Sequence, residues 1–396
     1  MFSRDLTEST FKYNIAIMKI FGLYPFDNWP KVSILYGFIS YVVLTFITAV
    51  LVVVLLIVRI KDSVQILSED GFIMVELIVL SVKILPCKLN IKGIKRTMHA
   101  LKQEIFNSQL PEQDRILAET IDNCIFIFLT FCTCSVITVS LWACVPLAYE
   151  ARRLPIAIWL PFDPFEDTAI YISLYIFLIY VVVNGGVENV CIDTLLAFQV
   201  YHAASQIKIL KDTLAHLGER AEEQILKEDK SLSLEDKDNL KNNIIYKKIC
   251  HCVDHYEAIY RFVEDLETTY SFIVFSQMIA TIILICVCCL RFTVDIPFTM
   301  PFFGTATFTA AALIEIFLYC YSGMLLYEES NSIINDIYMS EWYTYDEKSK
   351  KALLTLMERA KRPIKVTAGK LLDLSLATFA TIIRRSYSLL AVLKNY

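Results

Sequence analysis

Long uninterrupted apolar stretches limit what this chain can fold into more than any other feature of its sequence. Stretches of about 20 residues recur along the 396 residues, and each is long enough to cross the hydrocarbon core of a bilayer. Apolar residues make up 56% of the sequence, whereas a soluble chain would interrupt such stretches with charged residues. The sequence therefore predicts an all-α membrane protein. It shows no basic, aromatic-interleaved patch, so no nucleic-acid partner is expected.

Seven membrane helices are predicted from these stretches. The predicted spans cover residues 34–58, 64–89, 121–147, 168 onwards, 269–290, 298–326 and 371–393. Lys and Arg are concentrated before the first span and in the loop after the second, and they are sparse in the three outer loops. By the positive-inside rule, this distribution predicts a cytoplasmic N-terminus and an extracellular C-terminus.

Four regions follow from this topology. Residues 1–33 form a cytoplasmic N-terminal segment, 34–327 hold spans one to six, 328–370 form a second cytoplasmic segment, and 371–396 hold the seventh span. The first segment is amphipathic and is expected either to lie on the inner membrane surface or to pack as an ordinary helix. Charges of both signs predict a loop over residues 219–235. A helix is predicted over residues 346–362, ended by Pro363.

The cysteines and histidines do not point to a disulfide framework or to a reaction centre. Most of the twelve cysteines lie in apolar helices, where Cys behaves as a small hydrophobic residue. The cluster Cys250-His251-Cys252 with His255 has donors suited to zinc, but we interpret it as structural because it stands alone. No Ser-His-Asp set, phosphate-binding glycine loop or pair of catalytic carboxylates is found. Neither an enzyme activity nor a cofactor or metal site is predicted.

The C-terminal fifth of the chain resembles insect odorant receptors. The shared pieces, in order, are Phe317-Leu318-Tyr319-Cys320-Tyr321, Glu329-Ser330, Leu356-Met357-Glu358-Arg359, Lys361-Arg362-Pro363, Thr367-Ala368-Gly369-Lys370, Leu374-Ser375-Leu376, Thr378-Phe379 and Ser386-Tyr387-Ser388. A weaker similarity covers Arg153-Leu154-Pro155 and Leu160-Pro161-Phe162-Asp163.

This resemblance implies a subunit of an odorant-gated, non-selective cation channel in the plasma membrane of a sensory neuron. The implied partners are a small volatile odorant, the lipid bilayer and odorant co-receptor subunits in a heterotetramer. The chain lacks a long additional insertion in its second inner loop, which favours a ligand-tuning subunit over the co-receptor itself.

Candidate ligand-binding residues come from the third span. Ser135, Thr138 and Trp142 are spaced three and four apart, so they share one helix face. In the similar family, the odorant pocket lies among the outer halves of spans two, three, four and six. Weaker candidates at comparable depth are Phe72, Val75, Ile172, Tyr175 and Phe303. The alternative for all of these residues is ordinary helix packing.

Two ionisable residues lie within the second span. Glu76 and Lys83 are seven residues apart on one helix face. Ionisable side chains within a membrane helix usually face protein or water. Glu76 is therefore expected either to border a ligand cavity or to form a structural pair.

The seventh span and the helix before it carry the remaining candidates. Aligning Tyr387 with the family's tyrosine implies that Ile383, Ser386, Leu390, Leu393 and Lys394 face or gate the pore. Arg384 and Arg385 depart from many family members, and their partners are unexplained. The resemblance also implies a subunit contact through Leu353, Leu354, Leu356 and Met357. Here the alternative is packing within the same chain.

Two other receptor classes fit the sequence less well. A gustatory receptor of the same superfamily is expected to carry Gln-Phe in the last span, and the corresponding segment, Ser386-Tyr387-Ser388-Leu389-Leu390, continues without it. A G-protein-coupled receptor needs an external N-terminus and characteristic triplets in spans three and seven, and neither requirement is met.

Overall fold

The chain is described by a computed structural model. It describes residues 2–26, 28–59, 63–108, 110–144, 146, 152–228, 234–294 and 296–393. Almost all of the regular structure is helical. The elements are α1 (Phe2–Ile20), α2 (Pro30–Ser40), a π-helical turn (Tyr41–Phe46), α3 (Ile47–Val58), α4 (Ser63–Leu89), α5 (Ile91–Ala100), α6 (Pro111–Cys144), α7 (Thr168–Ala215), α8 (Leu217–Glu228), α9 (Leu234–Val294), α10 (Met300–Met339), α11 (Glu347–Ala360), β1 (Thr367–Ala368), β2 (Leu372–Asp373) and α12 (Leu376–Leu393).

Long apolar helices dominate the fold. Among the described residues, five helices are long and apolar enough to cross a membrane, judged by length and composition. They are Pro30–Val58, Pro111–Cys144, Thr168–Ala215, Lys237–Thr293 and Met300–Met339. These five correspond to predicted spans one, three, four, five and six. The second and seventh predicted spans are also helical, in α4 and α12.

An apolar outer surface accompanies these helices. Phe126, Leu129 and Val136 on α6 are 71%, 59% and 63% exposed. A soluble protein rarely exposes a contiguous apolar face of this kind, whereas lipid tails solvate it well. The exposed face of α6 is therefore the side that meets lipid.

The seventh predicted span starts later than expected. Residues 371–375 do not continue the helix, because Thr367 pairs with Asp373 and Ala368 with Leu372 in a short antiparallel hairpin. Gly369 has a φ angle of +62° at this turn, a left-handed conformation that glycine adopts at little cost. The helical part, α12, begins at Leu376.

The predicted loop over residues 219–235 is wrong for most of its length. Residues 217–228 form α8, and α9 begins at Leu234. Leu217, Ala221 and Ile225 are spaced four apart and buried, so they form an apolar stripe that packs against α9. The surrounding charges lie on the opposite face of α8, and their number concealed this stripe in the sequence.

The protein has a second layer at the end of the bundle opposite the loop of residues 152–167. It contains the far halves of α7, α9 and α10, together with α1, α5, α8 and α11. We call it the basal layer. α1 packs against α6 and α7, with Phe11 and Met18 each 1% exposed. Asn14 donates a hydrogen bond to the hydroxyl of Thr194 at 2.7 Å. α1 is therefore a packed helix, which was the alternative to membrane-surface binding.

The residues shared with the similar family explain how α10 connects to α12. Ser330 is buried, and its Oγ accepts a hydrogen bond from the Ile364 amide at 2.8 Å. The Thr367 amide donates to Glu267 on α9 at 2.7 Å. These bonds hold the hairpin against α9 and α10, and so they set where α12 begins.

Candidate functional site

A cavity of about 110 Å³ lies between four helices. Its walls come from α4, α6, α7 and α10, which are the helices of predicted spans two, three, four and six. Most of the lining side chains are apolar, and a small number of polar groups lie among them. This combination is typical of small-molecule sites, in which apolar walls supply affinity and a few polar groups orient the ligand.

Aromatic rings form one wall of the cavity. The Phe72 ring meets the Trp142 ring edge-on, with centroids 5.0 Å apart and an interplanar angle of 77°. Its centroid lies 4.8 Å from that of Phe308 on α10. Edge-to-face and tilted arrangements of this kind are the favoured geometries of aromatic pairs. Phe72 therefore joins α4 to both α6 and α10 at the cavity.

The position of Trp142 is fixed by its polar edge. The indole Nε1 donates a hydrogen bond to the Pro155 carbonyl at 3.0 Å, in the loop between α6 and α7. Trp142 is 5% exposed and also lines a second, outer cavity of about 620 Å³. The outer cavity is bordered by this loop and by residues such as Arg153 and Arg291. Trp142 is thus the shared wall between the inner cavity and the outer one.

Two consecutive glycines on α7 make space for the cavity. A Cβ added at Gly185 would lie 2.7 Å from the Leu80 side chain on α4. One added at Gly186 would lie 3.3 Å from Oγ of Ser135 on α6. Both glycines line the cavity, so a side chain at either position would narrow it.

Polar groups are spread over the remaining walls. Thr138 donates its hydroxyl hydrogen to the Cys134 carbonyl of its own helix at 2.8 Å, which leaves its oxygen able to accept a hydrogen bond. Ser135 faces the cavity from one turn away on the same helix. Glu76, Asn189 and Glu315 line the wall where α4, α7 and α10 approach one another.

A buried ion-pair cluster joins α4, α7 and α10 beside this polar wall. Lys83 forms ion pairs with Asp193 and with Glu315, whose Oε1 lies 3.0 Å from the Lys83 nitrogen. Asn189 donates a hydrogen bond to the other oxygen of Glu315 at 3.2 Å. Lys83 therefore pairs with carboxylates of other helices, and no ion pair between Lys83 and Glu76 is formed. Glu76 lines the cavity instead.

The eight predicted ligand-binding residues fall into two groups. Phe72, Ser135, Thr138 and Trp142 line the cavity. The structure places the other four elsewhere. Ile172 and Phe303 are 49% and 46% exposed on the outer surface of the bundle. Tyr175 donates its hydroxyl to the Ala143 carbonyl at 2.6 Å, and Val75 packs beside the core.

The reason for this division is helix rotation. Ile172, Tyr175 and Phe303 lie at a suitable depth, but their helices turn these side chains away from the cavity. The sequence candidates also omitted Phe308, Asn189 and Glu315. Glu315 could have been selected on the same ground as Glu76, because both are carboxylates inside an apolar helix. Phe308 carried no such signal, since aromatic residues are common throughout these spans.

The predicted pore residues occupy different faces of α12. Ser386 is 1% exposed and donates its hydroxyl to the Ile382 carbonyl, on the face that packs within this chain. A pore between subunits is lined by side chains that are exposed in one subunit, so Ser386 does not fit that role. Ile383 is 39% exposed and remains a candidate. The side chains of Leu390 and Leu393, and Lys394 as a whole, lie outside the described residues.

The two adjacent arginines of α12 lie on its exposed surface. Arg384 and Arg385 are both exposed in the single chain. They therefore belong to the surface of α12 that is free to meet another subunit, lipid headgroups or water, and neither contributes to the buried face that packs on α9 and α10.

The predicted subunit-contact residues lie on α11. This helix begins after Asp346, whose Oδ1 accepts a hydrogen bond from the Ser349 amide at 3.2 Å. Three of the four residues are buried within this chain, namely Leu353, Leu356 and Met357. They pack against α9 and α10, as the alternative of packing within the chain required. Leu354 points away and is 50% exposed, so it alone of the four is available to a second subunit.

The Cys/His cluster of α9 has a structural arrangement. Nε2 of His255 lies 2.9 Å from the Gln206 side-chain oxygen on α7, and its ring meets Phe106 edge-on. All twelve cysteines are free thiols. Within the described ranges, no group of three or more His, Cys, Asp or Glu side chains is arranged to hold a metal ion.

Comparison with known proteins gives matches along nearly the whole chain. The 7tm Odorant receptor family model matches residues 63–387. Odorant receptor Or1 of Anopheles gambiae is 21% identical over 398 residues, covering 98% of this chain and 95% of the relative. Odorant receptor 94a of Drosophila melanogaster is 23% identical over 254 residues, covering 63% of this chain and 60% of the relative.

Solved structures show the same fold. The insect olfactory receptor OR5 from Machilis hrabei, in complex with eugenol, superposes with a TM-score of 0.81 at 16% identity, covering 97% of each chain. A second structure of the same receptor superposes with a TM-score of 0.79 at 17% identity and covers 96% of each chain. The predicted all-α membrane fold is confirmed by this likeness.

The family model matches most of the chain, and this long match identifies the family and the class of protein. The matched region includes all four helices that form the cavity, as well as α11 and most of α12. Its apolar helices make the protein a multi-pass membrane protein, and its relatives are receptors rather than enzymes. The chain belongs to the 7tm odorant receptor family.

Proposed function

We propose that this receptor is the ligand-tuning subunit of an odorant-gated, non-selective cation channel that assembles with odorant co-receptor subunits. The observation that carries the proposal is the cavity between α4, α6, α7 and α10. It combines an aromatic wall with a few polar groups, and it lies next to an outer cavity from which it is separated by Trp142. This arrangement suits a ligand that arrives from outside the cell.

The size of the cavity supports a small volatile ligand. Its volume of about 110 Å³ is somewhat below that of the engineered apolar cavity of roughly 150 Å³ that binds benzene. A molecule with a single ring, or a short branched chain, is therefore the right size. The Machilis hrabei receptor with this fold was solved with eugenol, a small aromatic molecule.

The proposed channel has seven spans per subunit, with the N-terminus in the cytoplasm and the C-terminus outside. The basic residues of the inner segments support this orientation. The basal layer is then cytoplasmic, and Leu354 on its surface is free for a neighbouring subunit. Four copies of α12, from this chain and the co-receptor, line a central pore, with Ile383 among the exposed residues that face it. The assembly lies in the plasma membrane, in the dendrite of a sensory neuron.

Gating follows from differential affinity. A ligand that fits the cavity better in the open state than in the closed state shifts the population towards the open state. The cavity walls on α10 connect directly to the α12 region, because α10 packs on α12 and Phe317 meets Phe379 edge-on, with centroids 5.7 Å apart. This contact offers a short route from ligand to pore.

Whole-cell recording tests the proposal. The chain is expressed alone and with an odorant co-receptor, and a chemically broad odour panel is applied. Cation current that depends on odour and appears only with both subunits is expected. Current from the chain alone would contradict a tuning subunit that needs the co-receptor. Silence in both, with surface expression confirmed, would contradict the ligand-gated channel. Labelling of the termini on intact cells tests the topology independently.

A further inference from the structure

We propose that the cavity selects small volatile amines, with the protonated nitrogen paired to Glu76 and the hydrocarbon part held between Phe72, Phe308 and Trp142. This inference rests on the proposed odorant-receptor function and names the chemical class of ligand for the same site. It follows from one carboxylate that lines the cavity without a partner.

Glu76 is the group that needs a partner. Its carboxylate lines the cavity, and it forms no hydrogen bond or ion pair with any residue that the structure describes. An ionised carboxylate in an apolar site within a membrane is unfavourable unless a cation or a hydrogen-bond donor compensates it. The adjacent cavity-lining residues of the same helix, Leu77 and Leu80, supply neither, and the side-chain nitrogen of Asn189 donates to Glu315 at 3.2 Å.

The cluster beside Glu76 has no spare positive charge. Lys83 is the one cation of the cluster, and Asp193 and Glu315 already hold it in ion pairs. Glu76 is a third carboxylate next to a single ammonium group, and repulsion from Glu315 acts on it more strongly than attraction from Lys83. With all of these groups ionised, the polar wall therefore carries three negative charges and one positive charge. A ligand cation reduces this excess of negative charge.

The aromatic wall lies at the right distance for the rest of such a ligand. Phe72 and Glu76 are four residues apart on α4, so they share a face and are separated by about 6 Å along the helix axis. The rings of Trp142 and Phe308 contact Phe72 at that level. A ring joined to an ammonium group by one or two methylene groups spans this separation. The faces of Trp and Phe rings also attract cations, which adds to the preference.

A different ligand chemistry follows if Glu76 carries a proton. A neutral carboxyl group donates a hydrogen bond, so it would favour carbonyl compounds such as aldehydes or esters over amines. The substitution Glu76→Gln separates the two cases. Gln keeps the shape and a hydrogen-bond donor but cannot carry the negative charge. An amine site loses its preference in this variant, whereas a carbonyl site keeps it.

The experiment uses the purified full-length chain in lipid nanodiscs with three ligands of equal heavy-atom count. Benzylamine is the cation, ethylbenzene its uncharged isostere, and benzaldehyde the carbonyl acceptor. Binding is measured by titration of the intrinsic Trp fluorescence. We expect benzylamine to bind at least ten-fold more tightly than either of the others. Glu76→Gln is expected to abolish this preference and to leave the affinity for ethylbenzene unchanged.

A matched control and a second measurement keep the outcomes distinct. Glu119→Gln removes an exposed carboxylate of α6 and is expected to keep the amine preference. The inference is overturned if benzaldehyde binds as tightly as benzylamine to the unmodified chain, a comparison that does not depend on the folding of any variant. It is also overturned if Glu76→Gln retains the preference. Amine binding without odour-evoked current in co-expressing cells would uphold the amine site and contradict the channel function. Current evoked by neutral odours without any amine preference would uphold the channel function and contradict the amine site.

Discussion

Lys83 and Glu315 are 232 residues apart in the sequence, and the ammonium nitrogen of one lies 3.0 Å from a carboxylate oxygen of the other. Lys83 is completely buried, and Asp193 on α7 is its second ionic partner. One side chain thus joins three of the four helices that enclose the cavity. Because each helix is apolar on most of its surface, this cluster fixes how the helices are positioned relative to one another.

Replacing Lys83 by Met should destabilise the protein strongly. The substitution leaves two buried carboxylates without a cation, and breaking a buried pair in this way typically costs about 3–5 kcal/mol. The expected result is a clear fall in the thermal unfolding temperature of the purified protein in detergent, with reduced surface expression. Lys92→Met on α5 is the matched control, since Lys92 is exposed and the change should cost less than about 0.5 kcal/mol. Equal stability of the two variants would contradict a role for the cluster.

Trp142→Ala should weaken ligand responses through the loss of the wall between the two cavities. The substitution removes the ring that meets Phe72 and also the hydrogen bond to Pro155. We expect the half-maximal odour concentration to rise by about ten-fold or more, which corresponds to roughly 1.4 kcal/mol. Trp142→Phe keeps a ring but loses the hydrogen bond, which is worth about 1 kcal/mol, so a smaller rise is expected.

The control for Trp142 lies on the same helix. Val136 is 63% exposed on the lipid-facing side of α6, and Val136→Ala should leave the dose–response curve unchanged. Dose–response curves from cells that co-express the co-receptor provide the measurement. A Trp142→Ala curve that superposes on that of Val136→Ala would rule out the indole as part of the ligand site.

Gly186→Ala should change the size preference of the receptor without unfolding it. The added Cβ would lie 3.3 Å from Oγ of Ser135 and 3.6 Å from a methyl group of Val139, so small shifts accommodate it. The cavity then becomes smaller. Bulky ligands are expected to lose about ten-fold in potency, roughly 1.4 kcal/mol, whereas the smallest active ligands keep theirs.

A glycine elsewhere provides the comparison. At Gly218 an added Cβ would make an ordinary contact, 3.4 Å from the Tyr345 hydroxyl, and the position is remote from the cavity. Gly218→Ala should leave all potencies unchanged. If Gly186→Ala reduces potency by the same factor for every ligand, the residue affects gating or folding rather than the size of the site.

Acid should loosen the basal layer through His255. This residue lies outside the apolar segment of residues 269–290, and its burial lowers the imidazole pKa to about 4, with a further contribution from His251. In the unfolded chain the pKa is about 6.5, so the unfolded state binds a proton first as the pH falls. The stability present above pH 6.5 is lost progressively between about pH 6.5 and pH 4, by up to about 3 kcal/mol.

Thermal unfolding of the purified protein at pH 7.5 and pH 5 measures this effect. His255→Gln removes the titrating group and should reduce the difference between the two temperatures. His99→Gln is the control, because His99 is exposed on α5. An unchanged difference in the His255 variant would show that other groups determine the acid sensitivity.

The helices and one face of the cavity could be predicted because their signals are local. An apolar stretch of sufficient length specifies a membrane helix wherever it lies in the sequence. The spacing of Ser135, Thr138 and Trp142 places them on one face, since helical periodicity is fixed by backbone geometry. Helix α11 was predicted nearly to its ends, from Asp346 at its start and Pro363 just beyond it.

Predictions were less successful where the structure of a segment depends on the helices that pack against it. The α8 stripe of Leu217, Ala221 and Ile225 was concealed by its charged face, and the β1–β2 hairpin replaced the first turn of the predicted seventh span. Ser386 proved to be on the packed side of α12. In each case the local sequence allowed the observed structure, but contacts with α9 and α10 selected it.

The sequence by itself determined that the chain forms long apolar helices, roughly where they lie, and to which family it is similar. Only the tertiary structure decided how each helix is rotated about its axis. Lipid is as apolar as a helix interface, so hydropathy does not distinguish Phe303, which faces outwards, from Phe308, which lines the cavity. That choice is made by packing between helices far apart in the sequence, and by the few buried charges that must find one another across them.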